Sequence, residues 1–358
     1  MPTPPTAPEP APAPESGNPP AGWALRHLRP LLMVPVAAFT LAGVVFYLLQ
    51  LHERLEAGIT GRLAGVRTAL EDVFPDPNGA AVHTLAFGAD VLTADPGLTA
   101  RLQARDRAGL VARTTPLLAD LRARRGIVGL TFTGPDGVVL ARTHDPDRHG
   151  DRLGDFTTLR ALASGVAAFG LEAGPPGVVG LRYVTPWPGT GPEGPSGYVA
   201  LDLALEAMLA PIADAAGVPV AVLLQKDVVD RTAWEAHERA RDAAPGWDAH
   251  GALIPYTTGP AAPPEGLTAA VEAAPARPDD PSGLALDDGR LRAAVGRLVD
   301  ASGRQLGYVA GVLDVSDRVD AAHRAARVGI LLGLACGGLL LALAGGLAGR
   351  VRRRLEAD

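Results

Sequence analysis

The sequence predicts an α+β fold: two tandem modules on antiparallel sheets, a long N-terminal helix, and a transmembrane helix on either side. Three observations predict it. Two apolar runs without a charge, 31–51 and 328–349, bracket the chain. Between them the order is helix, two strands, a loop with a short helix, then three strands, a pattern that an antiparallel five-stranded sheet with helices on one face buries well. Finally, "GYVALDL" at 197 recurs as "GYVAGVLDV" at 307, each after a glycine turn and before a helix. That internal repeat points to two related modules in tandem.

The elements follow in order. Residues 1–25 open on "MPTPPTAPEPAPAPESGNPPAG", too poor in bulky apolar groups to bury a core, and read as a disordered tail. Each apolar run has about 20 residues, enough at 1.5 Å per residue to cross a hydrocarbon layer of roughly 30 Å. A buried core helix would show a polar face, and neither run has one. A cleaved signal peptide would need a small-x-small site, which "QLHERLEAG" lacks. Arg26, His27 and Arg29 precede the first run; Arg350, Arg352, Arg353 and Arg354 follow the second, in a short basic tail, 350–358. Positive flanks stay cytoplasmic, so both termini lie inside and the segment between the helices lies outside.

Residues 52–126 continue as a helical stalk. Leu51, Leu55, Ile59, Leu63, Val66 and Leu70 recur at spacings of three or four. "FPDPNG" then breaks the chain, and a second amphipathic stretch runs over 96–125, with Pro116 expected to start a new helix or kink this one. Residues 127–217 form the first module. "IVGLTFTG" and "VVLAR" pair around a "PDG" turn, "FTTLRALASG" is a short helix, and three further strands lie at 167–174, 178–187 and 197–203. "ALEAMLAPIADAAG" closes it as a helix. Residues 218–317 form the second module: a strand at 218–225, a polar helix over 227–243, a long Pro/Gly/Ala-rich region over 244–283, and strands at 291–300 and 306–315.

Composition excludes several functions. The formal net charge is -6 and the pI about 5.8, so no nucleic acid is expected as partner. Lys226 is the sole lysine, so arginine abundance reflects coding bias and not anion recognition. One cysteine, Cys336, rules out an internal disulfide and a cysteine-built zinc site. Neither a G-x-S-x-G elbow, H-E-x-x-H nor a P-loop appears, so no enzyme activity and no cofactor is expected.

Two apolar helices bracketing two α+β modules resemble a double Cache (PAS-like) extracytoplasmic sensor, as found in bacterial chemoreceptors, sensor histidine kinases and diguanylate cyclases. The segment "ARTHDPDRHGDRLGDF", followed by "GLEAG", "GLRYVTP" and "GYVALDL", carries the likeness, over roughly 60–317 and most clearly over 127–217. The resemblance implies a sensor in the inner membrane that binds a small molecule in its membrane-distal module. The chain stops at "RVRRRLEAD" with no output domain. Signalling through a separate partner is therefore expected, with a scaffold or regulator lacking a ligand, or a receptor fragment, as the alternatives.

Candidate site residues are Arg142, His144, Phe156, Glu172, Arg182, Tyr183 and Asp202. The stretch 142–153 could ligate a metal through His144, Asp145, Asp147 and His149, but Arg142, Arg148 and Arg152 interleave with them and repel a cation. A solvated loop and a pocket rim remain. Arg142 and His144 share a parity at the end of the second strand. Arg182 lies mid-strand among apolar residues, where an unpaired charge is costly. Either Glu172 or Asp202 pairs with it, or Arg182 or Arg142 clasps a ligand carboxylate with two parallel bonds. Tyr183 falls on the opposite face if the strand is regular. In the second apolar run, Gly333, Gly337, Gly345 and Gly349 are spaced for close helix packing. A homodimer is expected, its four helices in a lipid bilayer.

Overall fold

The computed structural model describes residues 21–71, 79–174, 178–189, 194–239, 246–256, 263–273 and 282–355. Residues 1–20 of the expected tail and nearly all of "FPDPNG" lie outside them. The chain divides into two units: residues up to Leu55 together with those from Arg318 onward, and residues 56–317.

The first unit holds most of α1 (Ala21–Glu71) and α9 (Ser316–Leu355). Both are long and apolar enough to cross a membrane, with mean hydropathy 2.3 over their most apolar stretches. Here Gly333 and Gly337 face α1: a Cβ on Gly333 would strike Val44, and one on Gly337 would come within 2.7 Å of Thr40. Gly329, one turn earlier, meets Tyr47 in the same way. Gly345 has open space beside it and Gly349 is half-buried.

In the second unit the end of α1 buries Ile59, Leu63, Val66 and Leu70, the later part of the expected stripe. Three helices follow: α2 (Ala80–Thr93), α3 (Pro96–Gln103) and α4 (Arg107–Arg125). The break in the 96–125 stretch falls at 104–106, not at Pro116, which lies inside α4. Arg105 turns to φ 51°, and Asp106 restarts the helix by accepting the Gly109 N–H at 2.9 Å. An aspartate N-cap satisfies an orphan donor and so starts a helix, whereas a proline inside a helix removes one amide hydrogen bond without having to end it.

The first sheet comprises β1 (Ile127–Thr133), β2 (Val139–Arg142), β3 (Ala168–Gly174), β4 (Val178–Trp187) and β5 (Gly197–Ala204), all antiparallel in the order β2-β1-β5-β4-β3. Helix α5 (Phe156–Ser164) lies between β2 and β3, and α6 (Leu205–Ala216) follows β5. One face, with Phe132, Leu181, Trp187 and Leu201, is apolar. Trp187 packs at a tilt against Phe132 and donates Nε1–H to Thr99 on α3 at 3.2 Å, and Leu201 packs beneath Gly88 of α2.

The second sheet repeats the arrangement. Strands β6 (Val220–Gln225), β7 (Leu253–Tyr256), β8 (Leu284–Leu286), β9 (Leu291–Val299) and β10 (Gln305–Asp314) run β7-β6-β10-β9-β8. Thus β5 and β10, which carry the repeated sequence, hold the same central place. Of the polar helix expected over 227–243, α7 (Arg231–Arg239) is described. The long Pro/Gly/Ala-rich region 244–283, in which the sequence marked no element, contains β7 and α8 (Leu267–Ala273), with β8 just after it. On β10, Gly311 leaves room for Val66 of α1, which a Cβ would strike.

Candidate functional site

One row across the first sheet gathers the chemistry. Gly129, Asp202, Arg182 and Gly170 stand directly opposite one another on β1, β5, β4 and β3, so their side chains share a face. The next row on that face reads Arg142, Thr131, Ala200, Val184 and Ala168. Helix α5 covers it, packing Ala161 and Leu162 against Ala168, Val184, Tyr198 and Ala200.

Arg182 is only 7% exposed. Its Nε and Nη2 donate to the two oxygens of Asp202 at 2.6 and 3.2 Å, and its Nη1 lies 2.8 Å from Asp155. Burial alone would lower its pKa, but the two carboxylates together raise it. Asp202, and not Glu172, is therefore the strand partner that the sequence left open. Gly129 makes room for it, since a Cβ there would strike the Asp202 carboxylate. Asp155 does two jobs with one carboxylate: it holds Arg182 and, as the N-cap of α5, accepts the Thr158 N–H at 3.1 Å. The short helix is thereby tied to the middle of the sheet.

Glu172, two residues from Gly170 on the same face, accepts both the N–H and the hydroxyl of Thr157 on Oε1, at 2.7 and 2.6 Å. Burial nevertheless pushes its carboxyl above the usual range. His144 accepts the Leu130 N–H on Nδ1 at 3.2 Å and feels Asp202, Arg142 and Arg182; burial holds it below the usual imidazole range.

Arg142 is buried too, and both of its terminal nitrogens already have partners. Nη1 and Nη2 donate to Asp151 at 2.7 and 2.8 Å, and Nη1 also to the Arg148 carbonyl at 2.9 Å. These bonds hold Asp151 below the usual carboxylate range and fold the 143–151 loop back onto β2. Among the described residues, no group of three or more His, Cys, Asp or Glu is placed to hold a metal ion. Two candidates do not join the cluster. Tyr183 pairs with Phe169 and Leu201 on the opposite face, because strand side chains alternate. Phe156, at the first turn of α5, is exposed. Sequence reading missed Asp155, Asp151 and Thr157. Asp155 had a signal, an aspartate directly before a helical run.

The edge of the cluster meets the second module. The turn between β9 and β10 donates the Ala301 N–H to the Leu171 carbonyl on β3 at 2.9 Å. Gly170 has no space for a side chain, since a Cβ would collide with Ala301 and lie 3.5 Å from the Thr157 hydroxyl.

The second sheet shows what the fold itself requires at this place. Aligning the repeats from Gly197 and Gly307 sets Val312 where Asp202 stands. Val312 pairs with Ala293 on β9, as Asp202 pairs with Arg182 on β4. Both are buried, in a cluster with Ala310, Leu223 and Val271.

The family described as the double sensory domain of two-component sensor kinase matches residues 81–319. No curated protein matches the chain. Several solved structures are similar. A domain of a sensory box/GGDEF family protein from Vibrio parahaemolyticus is 14% identical over 74% of this chain and 97% of its own, with a TM-score of 0.41. The periplasmic domain of Vibrio cholerae LuxQ is 14% identical over 74% and 99%, with a TM-score of 0.38. The E. coli DcuS sensor domain is 19% identical over 38% and 95%, with a TM-score of 0.31.

Proposed function

Because the chain belongs to the double sensory domain family of two-component sensor kinases, we propose that it is a membrane-anchored sensor of a small molecule. The ligand is received at the Arg182–Asp202–Asp155 cluster of the first module. One observation carries this reading. The same place in the second module is filled by Ala293 and Val312, so the fold has no need of buried charge there. Buried ion pairs are weak sources of stability, and apolar pairs of similar volume replace them at little cost. A charged cluster that architecture does not require is a site candidate.

The signal has a covalent route. A ligand that draws α5 toward or away from the sheet changes the surroundings of Thr157, Glu172 and Gly170. Gly170 abuts the β9–β10 turn, and β10 runs into α9. The ligand shifts this equilibrium only by its difference in affinity between the two states. Helix α9 carries the change across the lipid. Support for the membrane is the exposure of both apolar helices, with 0% and 6% of their most apolar windows buried.

The test copies the second module into the first. The full chain and an Arg182→Ala/Asp202→Val variant are screened by thermal shift against one metabolite library. Compounds that raise the melting point of the first but not of the second are expected; if no compound separates the two, the sensing role is wrong. A scaffold without a ligand is the second reading, favoured by the chain's own carboxylates that already hold both arginines. It requires a stoichiometric co-purifying partner that the double variant retains.

A further inference from the structure

We propose that the ligand group recognised at this cluster is a cation, an ammonium or guanidinium, and not a carboxylate. The inference rests on reading the cluster as the ligand site and concerns which charge it selects. Each arginine is already held along one edge by a carboxylate of the chain. Arg182 spends its Nε and both terminal nitrogens on Asp202 and Asp155, and Arg142 spends both terminal nitrogens on Asp151 and the Arg148 carbonyl. Three of the five N–H groups of Arg182 are taken by carboxylates, and a ligand carboxylate on the others would set a third anion around one guanidinium in a poorly hydrated place.

A cation meets the opposite situation. Two aspartates share one guanidinium, which leaves one unit of negative charge at the cluster. The accessible side of the arrangement is also the acidic side: the Asp202 and Asp155 side chains are 18% and 15% exposed, against 8% for Arg182. His144 adds no opposing charge at neutral pH, since burial favours its neutral form. Further acceptors stand close by in the chain. Glu172 concentrates both Thr157 donors on Oε1, and a cation drawn near would favour its ionised form. On α5, next to the Asp155 cap, the buried Thr158 hydroxyl oxygen has no hydrogen-bond partner among the described residues.

The experiment uses the full-length chain in lipid nanodiscs and four probes with one four-carbon tail: n-butylammonium, n-butylguanidinium, butyrate and 1-butanol. The expected result is a rise in melting temperature of about 2 °C or more with at least one cation at millimolar concentration. Butyrate and 1-butanol should leave it unchanged. The chain carries a formal charge of -6, so diffuse cation binding must be separated from the site. Asp202→Asn and Asp155→Asn do this, the second preserving an N-cap side chain for α5; each should abolish the rise. A rise that survives both substitutions overturns the proposal. A rise with butyrate alone overturns the charge class and leaves the sensing role standing. No rise with any probe overturns the charge class, while the sensing role is still decided by the library screen on the Arg182→Ala/Asp202→Val variant.

Discussion

Arg182 is buried between two carboxylates, and taking the arrangement apart in steps tells a site from a strut. Arg182→Ala leaves Asp202 facing apolar neighbours without its partner and should cost about 3–5 kcal/mol, as removing one member of a buried pair does. Arg182→Ala/Asp202→Val should cost less than that single change, since Asp155 keeps its cap role and partial exposure. Urea denaturation of both variants measures the difference, and a double variant weaker than the single one would make the pair architectural. Glu172 gives a second expectation at this scale. Its folded pKa is raised from 4.5 by burial, so its contribution is fully present below 4.5 and is lost as pH rises through the raised value. Glu172→Gln keeps the neutral form at every pH, so its stability relative to the parent chain should grow from pH 4 to pH 7. His144 acts in the opposite sense. Its pKa is lowered from 6.5 by burial, so its contribution is present above 6.5 and is lost as pH falls through the lowered value. Subtracting the Glu172→Gln profile from the parent profile isolates the carboxyl. Much of this was legible beforehand, because a charge mid-strand demands a partner and parity sets Tyr183 on the other face. Asp155 was not, because which loop residue closes over a sheet depends on chain path and not on spacing.

At the scale of elements, the β9–β10 turn on β3 is the contact to test. A methyl on Gly170 would strike Ala301, so Gly170→Ala should destabilise the 56–317 unit by about 1–3 kcal/mol, the usual cost of overpacking. Adding Ala301→Gly removes the opposing methyl and should restore most of the loss. The double-mutant cycle measures that coupling, and additive effects would mean that the turn does not bear on β3. The repeat that revealed two modules was visible because β5 and β10 are central strands, where covering on both faces restricts the sequence. Strands β7 and β8 were invisible for the converse reason. They are edge strands of four and three residues, set in Pro/Gly/Ala-rich sequence, and their partners supply the order. The break before α4 was misplaced because a proline is conspicuous in sequence, whereas a capping aspartate after a left-handed arginine is not.

For the whole molecule, the decisive quantity is where water stops. If α1 and α9 cross the lipid, the single native thiol, Cys336, lies in hydrocarbon, exposed as it is among the described residues. A thiol there is out of reach of a charged maleimide, which does not enter the hydrocarbon layer. An Asp147→Cys variant sets a second thiol in the exposed loop that Arg142 organises, on the side assigned to the sensing modules. In spheroplasts the reagent should label the Asp147→Cys thiol at once and Cys336 only after detergent is added. Equal labelling of both before detergent would show that the second apolar helix is in water. Labelling of neither would place the modules on the cytoplasmic side, where a sensor of external molecules has nothing to read. The measurement therefore tests the orientation drawn from the arginine flanks and the exposure of the apolar helices in one experiment, independently of any ligand.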